Sequence, residues 1–266
     1  MSISICLRTA GVALLFALPL GARAAQLLLY DDTRGNMPQD QGAMAYFYDF
    51  FSGSDPGPQA VAGGVQLDTT GDRGDSAGFF SHIPGFWVPV SSSFPELDPA
   101  DGFTLSFELD LHAEDHGTNI NRAGFSALIV GEDLFGIELG FWTSEIWSQT
   151  LVGDQFRRGD GIAYDTTIGT ILYDLTISGG DFFLFADGVE IFTGATRDYS
   201  AGSAFPDPYE VPSNLFLGDD TGSAGADFTL GRITLTTGPF AAAPAPLPVW
   251  LVLPGLGWII QRRPRL

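Results

Sequence analysis

Between Phe103 and Glu114 the chain reads FTLSFELDLHAE. Phe103, Leu105, Phe107, Leu109, Leu111 and Ala113 alternate with Thr104, Ser106, Glu108, Asp110, His112 and Glu114. A period of two sends every apolar side chain to one face of a strand and every polar one to the other. A strand wet on one face belongs to an antiparallel sheet, because crossover helices cover parallel sheets on both faces. The flanking segments extend that expectation. Ala123–Val130 (AGFSALIV) and Phe135–Trp142 (FGIELGFW) are apolar enough on both faces to be interior strands. Ile171–Ser178, Asp181–Ala186 and Val189–Phe192 form a meander linked by Gly179-Gly180 and Asp187-Gly188, pairs that supply the positive φ of tight hairpin turns. Across Asp227–Thr236 the phase slips from Phe228 and Leu230 to Ile233 and Leu235, which places Gly231 in a β-bulge. Residues 52–64 and 205–212 read as surface loops. With no 3.6-residue pattern and no propeller or solenoid period in the body, the expectation is an all-β, two-sheet antiparallel β-sandwich or jelly roll.

Composition narrows what such a sandwich can bind. The 266 residues carry a formal charge of −20, from 32 Asp and Glu against 12 basic residues, every one an arginine. Nonspecific nucleic-acid binding is excluded, since an acidic chain repels phosphate and offers no basic stripe. With 22 Phe, 34 Gly and only 17% charged residues, the chain folds around a core rather than staying disordered.

The two ends differ from the body. Residues 1–24 hold Arg8, the apolar run GVALLFALPL from Gly11 to Leu20, and then Ala22-Arg23-Ala24, the layout of a secretory signal peptide cut after Ala24. Cys6, the only cysteine, precedes the apolar run, so it cannot carry a lipid at the cut, and the mature chain has no disulfide. At the other end, a Pro/Ala linker (GPFAAAPAPLP, Gly238–Pro248) leads into VWLVLPGLGWII (Val249–Ile260) and then Gln261-Arg262-Arg263-Pro264-Arg265. The apolar stretch is shorter than the ~20 residues of a usual span, though flanking residues can extend it, and the arginines would hold that end cytoplasmic. Three regions are expected: a signal peptide (1–24), a β-sandwich body (25–240), and a linker, short transmembrane helix and Arg-rich tail (241–266). The ends take five arginines and no acid, so the body has seven arginines against 32 acids, a charge of −25. That charge disfavours acidic polysaccharides unless divalent cations bridge them, leaving neutral or Ca²⁺-bridged polysaccharide as the expected partner.

The order Pro246-Leu247-Pro248, a Trp-containing apolar helix with Gly255-Leu256, and then Arg262, Arg263 and Arg265 resembles the PEP-CTERM sorting tail in its Pro-Leu-Pro variant. The tail departs from the family pattern in having Leu247 for the name-giving Glu and Pro254 within the helix. The resemblance implies an exosortase-type sorting enzyme as partner. It also implies export by a Gram-negative bacterium, transient membrane anchoring through the C-terminal helix, and delivery to the cell surface or matrix.

A second resemblance covers about residues 28–236. FTLSFELDL, NRAGFSALIV, GIELGFW, YDLTISGGDFFLFADGVEIFTG, NLFLGDD and FTLGRITL follow one another in an order similar to concanavalin A-like, laminin G-like sandwiches of the exported "choice-of-anchor" type. That resemblance implies a concanavalin A-like jelly roll and no established activity. Lectins, glycosidases and adhesion modules share the sandwich.

Candidate chemistry is sparse. Laminarinase-like hydrolases on this fold carry Glu-x-Asp-x-Glu or Glu-x-Asp-x-x-Glu. Here Glu108 and Asp110 are followed by Glu114, one residue beyond even the longer form. Six residues of strand separate Glu108 from Glu114 by about 20 Å, against the ~5 to 5.5 Å of a retaining pair. Acidic and amide residues near two strand ends, Asp115, Asn119 and Asn121 and then Asp219, Asp220 and Asp227, suit Ca²⁺ as oxygen ligands, although no full Ca²⁺-loop pattern occurs. His112 and His116 enclose HAEDH rather than the HExxH of a zinc helix. Glu108, Asp110, His112, Glu138 and Trp142 make the candidate glycan face, with Trp142 and Glu138 on one side of their strand. No nucleophile elbow, phosphate loop or dinucleotide fingerprint is present, so no catalytic residue is assigned and no cofactor beyond Ca²⁺ is expected. The expectation is an exported, non-enzymatic β-sandwich that binds extracellular polysaccharide or serves in matrix or adhesion. The alternatives are a laminarinase-like hydrolase using Glu108 and Asp110, and a purely structural surface protein.

Overall fold

The computed structural model describes residues 24–48, 55–152, 155–200 and 208–238. The expected signal helix with Ala22, the C-terminal helix, and Pro246, Leu247, Pro248, Arg262, Arg263 and Arg265 lie outside the described residues. Ala24, at the expected cut, is exposed just ahead of the first strand. Among the described residues no helix is long and apolar enough to cross a membrane.

The described chain is built from strands and two short 3₁₀ turns. The first strands are β1 (Ala25–Tyr30), β2 (Ala45–Tyr48), β3 (Gln59–Val61), β4 (Gly64–Asp68), β5 (Ala77–Phe80), β6 (His82–Ile83) and β7 (Val88–Pro89). The central ones are β8 (Phe103–Asp115), β9 (Phe125–Val130), β10 (Phe135–Trp142), β11 (Glu145–Val152) and β12 (Gln155–Ala163). The chain continues through β13 (Ile171–Ser178), β14 (Asp181–Ala186), β15 (Val189–Ala195), β16 (Arg197–Asp198), β17 (Leu215–Asp219) and β18 (Gly225–Thr237). Sheet A has the order β15-β14-β13-β8-β18-β4-β3, with β1 also on β18. Sheet B has the order β12-β11-β10-β9-β17-β5-β2, with β16 on β10. A small hairpin, β6-β7, stands apart. The pairings are antiparallel, so the body is a two-sheet antiparallel β-sandwich.

Alternation builds the core. Phe103, Leu105, Phe107, Leu109 and Leu111 of β8 are fully buried, and with Tyr173 and Leu175 of β13 they meet Phe125, Ile137, Leu139 and Phe141 of sheet B. The phase slip in β18 is the expected bulge. Leu230 pairs with Leu109 and Ile233 with Phe107, so one extra residue near Gly231 lets Phe228, Leu230, Ile233 and Leu235 all face inward. A second bulge overturns part of the sequence reading. Leu111 pairs with Phe228 and Ala113 with Asp227, which puts an extra residue into β8 at His112 and ends its alternation. Ala113, expected on the apolar face, is exposed, and the Glu114 side chain, expected in solvent, is 2% exposed.

The interior strands behave as their composition requires. Every residue of β9 is buried, and β10 is buried from Gly136 to Phe141. The meander β13-β14-β15 is formed through Asp187-Gly188, both at positive φ. Residues 52–64, expected as loop, include all of β3 and the start of β4. From 208 to 212 the chain is turn and loop as expected, but Tyr209 and Val211 are buried rather than at the surface, because this loop packs over sheet B. Strands β1, β2, β4 to β7, β11, β12 and β16 were not foreseen either.

Candidate functional site

The outer face of sheet B does not meet water directly. Phe80, Leu128, Val130 and Phe216 point away from the inter-sheet core and form a second apolar cluster with Phe156 of β12 and with Tyr199 and Tyr209 of the β16–β17 connection. Gly78 sets the floor of this cluster: a side chain there would collide with the Phe216 ring, whose nearest atoms lie 2.5 Å from where a Cβ would sit. The Phe80 and Phe216 rings pack 4.4 Å apart, Trp87 meets Phe80 edge-on at 5.6 Å, and Phe156 packs on Tyr209 at 4.6 Å. Trp87 holds a left-handed backbone, φ +52°, a conformation that disfavours a bulky residue and is tolerated where surroundings enforce it.

These rings enclose a cavity of about 490 Å³, within the size range of small-molecule sites. Its apolar walls are Phe47, Phe80, Trp87, Phe156 and Phe216. Its polar lining comes from Tyr209, Asp220, Gln149, Arg122, Ser76 and Thr221. Gln149 sits beside a register shift in the β11–β12 ladder and is 2% exposed, and its Oε1 has no hydrogen-bond partner among the described residues. Arg122 donates from Nη1 to the Asn121 and Phe156 carbonyls at 2.7 and 3.2 Å.

Behind Tyr209 lies a carboxyl pair. Glu138 is buried on the outer side of β10 and accepts from Ser126 Oγ at 3.0 Å and from the Tyr209 hydroxyl at 2.5 Å. The same hydroxyl lies 3.1 Å from Asp220 Oδ2. Burial, then the charge of Asp220, pushes Glu138 up to about 8, while the bonds from Tyr209 and Ser126 and the charge of Arg122 pull the other way. Burial raises Asp220 as well, against Tyr209 and Arg122. Like charges this close do not both ionise at neutral pH. One phenolic hydrogen cannot make two full bonds, so a proton held on either carboxyl completes the chain Glu138–Tyr209–Asp220.

The structure divides the expected glycan face between opposite sides of the sandwich. Glu138 and Trp142 belong to sheet B, Glu108, Asp110 and His112 to sheet A. Glu108 Oε2 accepts the backbone N–H of Arg232 at 3.2 Å and so caps the β18 bulge. His112 bonds Thr229 Oγ1 through Nε2 at 3.0 Å, with Nδ1 3.6 Å from Asp110. Trp142 donates from Nε1 to the Arg122 carbonyl, and its ring is stacked by His116 at 4.1 Å and faced by the Arg158 guanidinium at 4.9 Å, so it serves as packing surface.

The candidate calcium ligands are held separately. Asp115 pairs with Arg73, Asn119 with Ser223 and the Asn121 N–H, and Asn121 with the Arg158 N–H. Asp219 accepts from Thr69 and from the Thr221 N–H, and Asp227 from Gln66. Asp220 belongs to the carboxyl pair. Among the described residues no three His, Cys, Asp or Glu side chains are grouped to hold a metal ion. Sequence reasoning singled out Glu138 and Asp220 for different purposes and missed Tyr209, Gln149 and Arg122. One signal was available: a tyrosine set between prolines in the loop FPDPYEVP.

No family model matches the sequence, and no curated protein matches it. Solved structures with similar folds include a carbohydrate esterase of the Shiga toxin-encoding bacteriophage phi24B, with TM-score 0.47, 11% identity, and 75% of this chain and 92% of that chain covered. A second is alginate lyase A1-II′ of polysaccharide lyase family 7, with TM-score 0.43, 10% identity and coverages of 81% and 95%. A third is the Crh5 transglycosylase in complex with NAG, with TM-score 0.45, 14% identity and coverages of 84% and 87%. At these scores the likeness assigns no chemistry.

Proposed function

We propose that the body is a non-enzymatic carbohydrate-binding sandwich whose binding site is the cavity on the outer face of sheet B. The observation that carries this reading is a concave space to which the described residues contribute six aromatic rings, Tyr209 among them, with Gln149, Arg122 and the Asp220 carboxyl in the polar lining. Aromatic walls with a few converging polar groups are the makeup of a small-ligand site. Hydrolysis is disfavoured by placement. A glycosidase needs two carboxyls on either side of the scissile bond, whereas Glu138 and Asp220 sit on the same hydroxyl and Glu138 does not line the cavity. Glu108 and Asp110, the other candidate pair, are engaged at a bulge and with His112.

In this reading the chain is exported by its first 24 residues and delivered to the cell surface or matrix by its tail, with an exosortase-type enzyme as sorting partner. The supporting residues are Pro246-Leu247-Pro248 and the terminal arginines. Retention of the purified full chain on host polysaccharide, lost in a Trp87→Ala variant that still folds, is the expected result. No retention on any polysaccharide, with or without Ca²⁺, would leave the structural-protein alternative. For sorting, deletion of Pro246–Leu266 is expected to release the protein into the medium, and unchanged cell association would refute that part.

A further inference from the structure

Among the described residues that line the cavity, Arg122 is the one basic side chain. With one proton shared by Glu138 and Asp220, the guanidinium and the remaining carboxylate cancel, and the site is electrically neutral. A charged ligand would then add an unbalanced charge to a desolvated space, which is costly. The polar lining asks for something else: Gln149, Ser76, Thr221 and Asp220 offer hydrogen-bonding groups that ligand hydroxyls match without bringing charge. The volume, about 490 Å³, suits a unit or two of a chain rather than its length.

The rim supplies a second contact. The hairpin β6-β7 gives Pro84, Gly85 and Trp87 to the cavity wall, while Phe86, between the last two, is 79% exposed. An exposed aromatic side chain one residue from Gly85 and Trp87 of the wall is available to stack on a unit that extends beyond the cavity.

We infer that the cavity takes the terminal unit of an uncharged polysaccharide chain, with a hydroxyl donating to Asp220 and others meeting the polar lining of Gln149, Ser76 and Thr221, and that Phe86 carries the next unit outside it. This rests on the carbohydrate reading above, and it selects neutral glycans over Ca²⁺-bridged acidic ones. The test is calorimetric titration of the purified full chain at pH 7 with neutral gluco-, galacto- and manno-oligosaccharides of one to four units, and with uronate oligosaccharides of the same lengths. One neutral series is expected to bind, gaining affinity from the first to the second unit, with uronates weaker by at least about tenfold. Phe86→Ala, a substitution at an exposed position, is expected to remove the gain from the second unit and leave the single unit within about twofold. Equal binding of neutral and uronate series overturns the charge argument. A Phe86→Ala variant that weakens one and four units alike, or neither, overturns the second contact. No binding by any sugar overturns the carbohydrate reading itself, an outcome distinct from the other two.

Discussion

The two outer faces of the sandwich start from similar strands and end differently. On sheet A, β8 presents Thr104, Ser106, Glu108 and Asp110 as half-exposed polar side chains, with Thr104 bonded across to Thr176 at 2.8 Å. On sheet B, β9 and β10 present Leu128, Val130 and Glu138, all buried beneath aromatic side chains from neighbouring strands and loops. The contrast teaches that the same alternation gives a wet face where the outward residues are polar and stand alone. It gives a second core where they are apolar enough to recruit loops. A carboxylate is ordinary on the first face. On the second it keeps its place only through a donor and a shared proton.

Energetic asymmetry follows. Phe216→Ala, which empties the middle of the outer cluster on sheet B, is expected to cost about 3 to 5 kcal/mol, read from the shift of a urea unfolding midpoint. A loss under about 1 kcal/mol would mean that this cluster is no second core. Tyr209→Phe keeps the ring but removes the hydroxyl bridging Glu138 and Asp220. Roughly 2 to 3 kcal/mol should be lost by the same measurement, because two buried carboxyls are left facing each other.

The pH dependence comes next in size. Glu138 is raised to about 8 in the folded protein, so between the ordinary carboxylate range and pH 8 the folded state binds more protons than the unfolded one. Stability therefore falls as pH rises through that window and levels off above it. Glu138→Gln should flatten the slope, as followed by thermal unfolding between pH 5 and 9, and an unchanged slope would place the titrating group elsewhere. On sheet A, Glu108→Gln retains an acceptor for the Arg232 N–H and should change stability by less than about 0.5 kcal/mol. A large loss there would erase the difference between the faces.

Period-two alternation made β8 and the meander legible, and the phase change around Gly231 marked a bulge before any pairing was known. The bulge at His112 was illegible because the sequence goes on alternating through Ala113, and the interruption is visible only in the register with β18. Strands β11 and β12 were missed because EIWSQTLV and QFRRGDGIA mix apolar, polar and small residues with no clean period of two. The site was half visible. Glu138 was singled out with Trp142 on one side of its strand, but its partner Tyr209 is 71 residues away, in a loop whose composition says surface. Only the topology brings that loop over sheet B. The place of Gln149 in the cavity lining was hidden for the same reason: a lining residue belongs to the assembled face and has no signature in one strand.

Strand β18 fixes the timing of assembly. It pairs along one side with β8 and along the other with β4 and β1, and contacts such as His112 to Thr229 span 117 residues of chain. Until residues up to Thr237 have emerged from the ribosome, sheet A remains three unjoined pieces, β15-β14-β13-β8, β4-β3 and β1, and Phe107 and Leu109 lack a neighbour on one side. Folding so dependent on distant partners is slow. Sheet A thus closes only when the last strand of the body arrives.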